Sequence, residues 1–572
     1  MPKKLRLLSI PLLLMAAFLA WRMYALDRQE LLWGHLPLYF FAAAWAGLVL
    51  ATSRKNVRWL GLSTVSGVLL AAGFPPLPFT FLLFIAWIPL LMVESEITAA
   101  GGPRTGRAVF KYAYHSFIVW NILTTFWLAN ASFLAGVFSI AANALLMSLP
   151  FALFHWSRKY LPRLSYLLLI AFWLTFEYLH LRWELSWPWL TLGNAFSEFP
   201  SWVQWYEFTG VLGGSLWILL VNILLWKRRF SAAGAALAVP LIASLAIYYT
   251  YKEAGSDPIE VVVVQPNYES HYEKFETPEL EQLSRFIALA DSTVTADTRY
   301  VIFPETSFGP IRDEEIGSES VTRRIQAWTD QHPGLTLITG LTLFHVFEGE
   351  EAHSPYVREF ERKGEVMYYE AFNGATQFEA GAKEYPIYKK SKLVPGAESF
   401  PYSRFVFFLK PIVDKLGGSA AGLATQPKRT VLQGLHGHRV APIICYESVF
   451  GEYHTGYIRA GAQFGAIITN DGWWDNTAGH RQHLRLASLR AIETRRDIAR
   501  SANTGISAFI NQRGDILQPT KYEEARAIRG TVRPNDRITF YVRWGDLIGR
   551  IALFLALVLF LNAGVKMVTG EQ

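Results

Sequence analysis

The sequence predicts a polytopic α-helical membrane part joined to an α/β domain and closed by one more transmembrane helix. Three observations predict it. The 572 residues are 51% hydrophobic and 15% aromatic with only 18% charge, more apolar matter than one soluble core needs. From Leu5 to Thr250, apolar stretches of about 16 to 24 residues succeed one another, each long enough for a hydrocarbon layer of ~30 Å. After the turn-rich run Gly255 to Pro258, short β-branched segments alternate with polar and helical ones to about Trp544.

The predicted spans lie near 6–26, 32–52, 58–74, 79–95, 108–129, 133–157, 164–181, 206–226 and 231–250, with a last one from about Leu547 to Val565. Lys3, Lys4 and Arg6 before a short apolar core also fit a signal peptide; the first span is expected to be retained. Loop charges support the count, because Lys and Arg gather on the cytoplasmic side of short loops. Lys3, Lys4 and Arg6 mark the N-terminus; Arg54, Lys55 and Arg58 the second loop; Arg104, Arg107 and Lys111 the fourth. Arg158, Lys159 and Arg163 mark the sixth and Lys227, Arg228 and Arg229 the eighth, whereas the third loop and the fifth, near Asn130, carry no charge. Nine spans from a cytoplasmic N-terminus put residue 251 outside. The net charge of +7 is then largely topology-setting, and no nucleic-acid binding is expected.

The α/β segment of roughly 285 residues is long enough for its own core. Strands are predicted at Ile259 to Val264, Tyr300 to Phe303, Thr336 to Thr339, Val440 to Ile444, Gly465 to Thr469 and Ser507 to Asn511. Cys445, the only cysteine, comes directly after the fourth of these, at a strand's C-terminal end where α/β folds place chemistry. With no second thiol it is either a nucleophile or a small apolar residue. Glu305, just past the second strand and Pro304, reads as a general base or as a surface acid. Lys389, Lys390 and Lys392 form either a solvated basic face or the source of one inward ammonium that offsets an oxyanion, and spacing does not choose among them. Glu447 is a second carboxylate tuning the thiol or a cap for the helix after it.

Together these blocks resemble the nitrilase, or carbon-nitrogen hydrolase, superfamily, whose sites use Glu, Lys and Cys in that chain order. Pro304-Glu305, Tyr388-x-Lys390-x-x-Leu393-Val394-Pro395 and Ile444-Cys445-Tyr446-Glu447 look like its three signature blocks. Thr469 to Trp473, Gln482-His483, Arg490-Ala491, Glu493 and Asn503 to Ser507 match its C-terminal part. Register against Leu393-Val394-Pro395 selects Lys390. Gly73 to Pro76, Phe176-Glu177-Tyr178 and Trp187 to Leu190 with Gly193 further resemble the membrane branch, the apolipoprotein N-acyltransferases, over about residues 57 to 566.

The resemblance implies an αββα sandwich between apolar spans: an extra N-terminal helix pair over 1–56, core transmembrane helices over 57–254, a periplasmic catalytic domain over 255–544 and a closing helix over 545–572. It implies a ping-pong transfer at the bacterial inner membrane, with both termini cytoplasmic. Cys445 would take an acyl chain from a phospholipid, typically phosphatidylethanolamine, and pass it to the α-amino group of a lipoprotein's N-terminal diacylglyceryl-cysteine. Glu305 would act as base and Lys390 as oxyanion partner, with Glu447, Glu398, Asn373 and Tyr446 in support. No cofactor or metal is implied, and the chain is expected to be a monomer.

Three departures stand out. Pro395-Gly396-Ala397-Glu398 replaces the usual Pro-Phe-Gly-Glu, Trp473-Trp474-Asp475 replaces Trp-Phe-Gly, and the first two spans look like an addition. Phe400 to Ile412 reads as a lipid-dipping lid or as a packed helix. His480 and His483 lack a third ligand nearby and read as polar-network residues. Two alternatives remain: a membrane-tethered amidase, in which water resolves the acyl-enzyme, and a transporter or sensor, for which Glu177 would be the intramembrane ionisable group.

Overall fold

The computed structural model describes residues 6–52, 56–347, 356–362, 365–402 and 422–570. Lys3, Lys4, Arg54 and Lys55, and residues 403–412 of the predicted lid, lie outside them.

Every predicted span contains a helix. They are Ser9–Asp27, Leu36–Thr52, Val57–Ala72, Ile88–Ala100, Thr105–Thr125, Phe133–Ser157, Ser165–His180, Val211–Trp226, Phe230–Thr250 and Leu547–Thr569. The fourth is the least regular, because a 3-10 turn at Thr80–Phe84 precedes it and the helix runs on to Ala100 rather than stopping near 95. Among the described residues, five are long and apolar enough to cross a membrane: Ser9–Asp27, Thr80–Ala100 taken with its turn, Phe133–Ser157, Phe230–Thr250 and Leu547–Thr569. Apolar residues lie on both sides of these helices. Trp87, Trp120, Trp127 and Trp173 fill the bundle interior, Trp87 and Trp173 meeting edge to face at 4.5 Å, while Phe18, Ile242, Phe554 and Leu557 point outward. A water-soluble bundle would cover that outer face with polar groups. Glu177 accepts from Trp173 Nε1 at 2.9 Å and from the Leu192 backbone at 2.8 Å, so it ties helix Ser165–His180 to the loop beyond it. In that loop Gly193 is required, since a Cβ there would sit 1.9 Å from the Val211 carbonyl oxygen.

The described residues then form fourteen strands: β1 Ile259–Gln265, β2 Thr298–Ile302, β3 Phe308–Arg312, β4 Thr336–Phe347, β5 Arg358–Arg362, β6 Glu365–Glu379, β7 Ile387–Lys389, β8 Leu432–Gln433, β9 Arg439–Ile444, β10 Phe464–Thr469, β11 Ile498–Ala502, β12 Ala508–Ile510, β13 Ile516–Leu517 and β14 Arg526–Val532. One sheet runs β14-β1-β2-β4-β6-β5, with β3 on β4 and β7 on β6; the other runs β13-β12-β11-β10-β9-β8. All six predicted strands are present, the third much longer than expected.

Side-chain alternation packs the two sheets face to face. In β1, Val261 and Val263 belong to the core between the sheets, where Tyr300 of β2 meets Phe464 of β10 edge to face at 5.3 Å and the Ser501 hydroxyl of β11 donates to the Val264 carbonyl at 2.8 Å, whereas Val262 and Val264 share a core with Leu283, Phe286 and Ile325 of helices Glu279–Asp291 and Ser320–Asp330. Helices Gly451–Arg459 and Ala478–Thr494 cover the second sheet, giving four layers in the order αββα. Ala478–Thr494 also faces the apolar bundle: Gln482 donates to the Pro75 and Thr124 carbonyls at 2.8 and 3.1 Å.

Candidate active site

Strand ends bring the predicted residues to one cavity of about 1700 Å³. Glu305 lies just past β2, Lys390 just past β7 and Cys445 just past β9. Gly340 in β4 lets the Glu305 turn approach, because a Cβ there would lie 2.7 Å from Glu305 Cα. Lys390 Nζ donates to Glu305 Oε1 at 3.0 Å and to Glu398 Oε1 at 2.8 Å, and its side chain is 1% exposed. Asn373 Nδ2 donates to the same two carboxylates, at 2.7 and 3.3 Å, and the Asn373 backbone carbonyl accepts the Lys390 N–H at 2.8 Å. The Asn470 N–H donates to Glu305 Oε2 at 3.2 Å. Glu398 reaches the lysine from the altered turn, its Oε2 accepting from the Val394 N–H at 2.8 Å.

Burial works against the Lys390 ammonium, but Glu305 and Glu398 outweigh it and hold its pKa above that of an ordinary lysine. Lys389 instead pairs with Glu370 at 3.2 Å, and Lys392 lies over the Phe450 ring, so of the three lysines only Lys390 turns into the cavity.

Cys445 is half-buried and adopts φ 47°, a left-handed conformation rare for a side-chain-bearing residue. It opens the 3-10 turn Cys445–Val449. Burial pushes the thiol up, the Glu305 carboxylate adds to that, and Lys390 opposes it. The resting thiol is therefore neutral and needs a base to become a nucleophile.

Glu447 lies outside the cavity lining. Its Oε1 accepts from the Tyr388 hydroxyl at 2.6 Å, the Ser391 N–H at 2.7 Å and the Tyr453 hydroxyl at 2.7 Å. Its Oε2 accepts from the Ile444 N–H at 2.9 Å and the Tyr457 hydroxyl at 2.8 Å. Of the two sequence readings, the cap is closer: it clamps the thiol's turn to the lysine's loop. Tyr446 is buried, donates to the Ser186 carbonyl at 2.6 Å and stacks on Trp189, so it fastens the same turn to the apolar bundle.

His483 belongs to a polar network. Its ring nitrogens lie 2.8 Å from Asp471 Oδ1 and 2.9 Å from Ser448 Oγ, with Cys445 O at 3.2 Å. Arg500 and His483 hold the buried Asp471 carboxyl well below the usual range against the desolvation that opposes them. His480 stacks on Tyr522 instead.

Sequence reasoning missed Lys274. Its buried ammonium lines the cavity and donates to Thr306 Oγ1 at 3.1 Å; burial pulls it down to about 8, with Glu305 opposing. A single lysine in Tyr272 to Glu276, far from any signature block, carries no pattern that marks it as buried.

The cavity's other walls come from the apolar bundle, including Leu134, Val137 and Phe138 of helix Phe133–Ser157. The site thus opens onto apolar surface rather than only onto water.

Comparison with known proteins covers both parts. Residues 66–224 match the apolipoprotein N-acyltransferase N-terminal domain, and residues 261–536 match the carbon-nitrogen hydrolase family. A Chlorobaculum tepidum apolipoprotein N-acyltransferase is 30% identical over 550 residues, covering 90% of this chain and 98% of its own. Namesakes from Geobacter metallireducens and Thermotoga maritima are 26% and 25% identical, over 85% and 90% of this chain and 91% and 96% of theirs. Among solved structures, an amidase from Nesterenkonia sp. overlaps 50% of this chain and 93% of its own at 15% identity with a TM-score of 0.33, and the assignment does not rest on it. Similarity that runs through the apolar helices as well as the sandwich separates this chain from soluble carbon-nitrogen hydrolases, and the chain belongs to the apolipoprotein N-acyltransferase family.

Proposed function

We propose that the chain moves a fatty acyl group from a phospholipid, through a thioester on Cys445, to the α-amino group of the diacylglyceryl-cysteine at a lipoprotein's N-terminus. The observation that carries this reading is the meeting of Glu305, Lys390 and Cys445 in one cavity walled partly by apolar helices. In the first half-reaction Glu305 takes the thiol proton while Sγ adds to the donor ester carbonyl. Lys390 offsets the oxyanion, an effect typically of several kcal/mol. Collapse of the adduct breaks the ester C–O bond, and the lysophospholipid alkoxide leaves with the proton from Glu305. In the second half the acceptor amine adds to the thioester and gives its proton to Glu305, the C–S bond breaks, and the thiolate is reprotonated as the amide forms.

Glu398 and Asn373 orient the Lys390 ammonium, Glu447 holds the two loops in register, and Tyr446 sets the turn against the bundle. Phosphatidylethanolamine is the proposed donor. The proposed setting is a bacterial inner membrane, with the sandwich over 255–544 on the periplasmic side, helices over 1–56 and 57–254 before it, the closing helix over 545–572, both termini cytoplasmic, and the chain a monomer. Because donor and acceptor are both lipid-anchored, a cavity opening onto apolar helices meets them where they reside.

Cys445→Ser tests the reading. It should abolish both acyl-enzyme formation and transfer to a diacylglyceryl-cysteine peptide; retained turnover would remove Cys445 as the nucleophile.

A further inference from the structure

The loop joining the first two helices is built into the wall of the Cys445 cavity. Helices Ser9–Asp27 and Leu36–Thr52 are connected by residues 28–35, of which Leu31, Leu32 and Trp33 line the cavity that also receives Glu305 and Lys390. Three contacts fix the loop there. The Gly34 N–H donates to Asp475 Oδ2 at 2.8 Å, Asn130 Nδ2 donates to both the Gly34 and Trp474 carbonyls at 3.0 and 3.2 Å, and Trp33 meets Phe133 edge-on at 6.2 Å. Trp474 and Asp475 belong to the segment after β10 that begins at Asn470, whose N–H holds Glu305. The hairpin is therefore anchored to the catalytic segment itself.

Asp475 is unusual in its own right. Its φ of 54° lies in the left-handed region that favours glycine, yet it keeps a side chain, and that side chain is the loop's anchor. The match to the family's N-terminal domain begins at residue 66, so this wall lies outside the matched pattern.

Leu31, Trp33, Leu134, Val137 and Phe138 share the lining of the cavity that also holds Cys445. Leu31, Leu134, Val137 and Phe138 are exposed along it. An acyl group whose carbonyl reaches Cys445 gains most by running its chain along an apolar wall, because burial of each methylene is favourable. We propose that residues 28–35 form a wall of the donor's acyl site, and that Leu31, Leu32 and Trp33 set the preference for acyl length. This rests on the proposed function.

Two measurements on the full chain test it. A phosphatidylethanolamine with a diazirine at the end of its palmitoyl chain is bound, irradiated and mapped by peptide mass spectrometry; cross-links are expected on residues 31–33 and 134–138. Rates of Cys445 acylation from palmitoyl and octanoyl donors are then compared in wild type, Trp33→Ala and Asp475→Gly, the last removing the anchor while relaxing the backbone. The palmitoyl preference should fall about tenfold in each variant, mainly through the donor KM. Cross-links confined to other walls, together with an unchanged preference in both variants, overturn the inference. Loop cross-links without any acylation of wild-type Cys445 support the acyl site and contradict the proposed function instead.

Discussion

Glu447 Oε1 lies 2.7 Å from the backbone nitrogen of Ser391, so the residue two places after the thiol holds the residue next to the ammonium-bearing lysine. Its other oxygen accepts the Ile444 N–H at 2.9 Å. The relative placement of Cys445 and Lys390 thus depends on one buried carboxylate bridging two loops.

Glu447→Ala should strip an acceptor from three tyrosine hydroxyls and three backbone N–H groups at once. At about 1–3 kcal/mol for each buried donor left unpaired, the expected result is severe destabilisation with loss of activity. Glu447→Gln keeps the shape but turns one acceptor into a donor, so its unfolding midpoint should fall between the two. Thermal unfolding and acylation rate check both.

Glu305→Gln should have opposite effects on two reactions of the same thiol. Burial and the Glu305 carboxylate both raise the Cys445 pKa, so removing that charge lowers it and exposes more thiolate at a given pH. Iodoacetamide should therefore alkylate Cys445 faster in the variant at about pH 8, while acylation by phospholipid drops by about 10²-fold or more for want of the base. Slower alkylation alongside unchanged acylation would place the base elsewhere.

Lys390→Ala should lose about 10²- to 10³-fold in acylation rate. Lys389→Ala and Lys392→Ala should stay within a few fold, since Lys389 pairs with Glu370 and Lys392 lies over Phe450. The reverse ranking in a steady-state assay would mean that the wrong lysine has been placed at the oxyanion.

Lys274→Met addresses pH. Burial lowers the Lys274 pKa from 10.5 to about 8, so between those values the folded state binds fewer protons than the unfolded chain and stability rises with pH. Below that folded-state pKa the full cost of the buried ammonium is present, at most about 3 kcal/mol. The variant should unfold at a higher temperature than wild type at about pH 7, and the difference should fade above the unfolded value of 10.5.

The parts of the fold that were legible are those that side-chain pattern can encode. β1, β9 and β10 were legible because they are buried on both faces and read as unbroken apolar runs. The apolar helices were legible for the same reason. β6 was not: Glu365, Tyr368 and Glu370 lie on its more exposed half, and its buried half carries Asn373, Thr376 and Gln377 rather than a β-branched run. β11 hides Arg500 and Ser501, whose partners, Asp471 and the Val264 carbonyl, are distant in sequence. Glu305, Lys390 and Cys445 were found through signature blocks, whereas Lys274 and the docking of Gly34 on Asp475 depend on contacts that no local pattern records.

The most direct test of the account is to incubate the detergent-solubilised chain with phosphatidylethanolamine alone and examine the Cys445 peptide by mass spectrometry. The account predicts a thioester-linked fatty acyl adduct that clears when a diacylglyceryl-cysteine peptide is added, with that peptide gaining an amide-linked chain. An adduct lost to water with no acylated peptide, or no adduct at all, would contradict it.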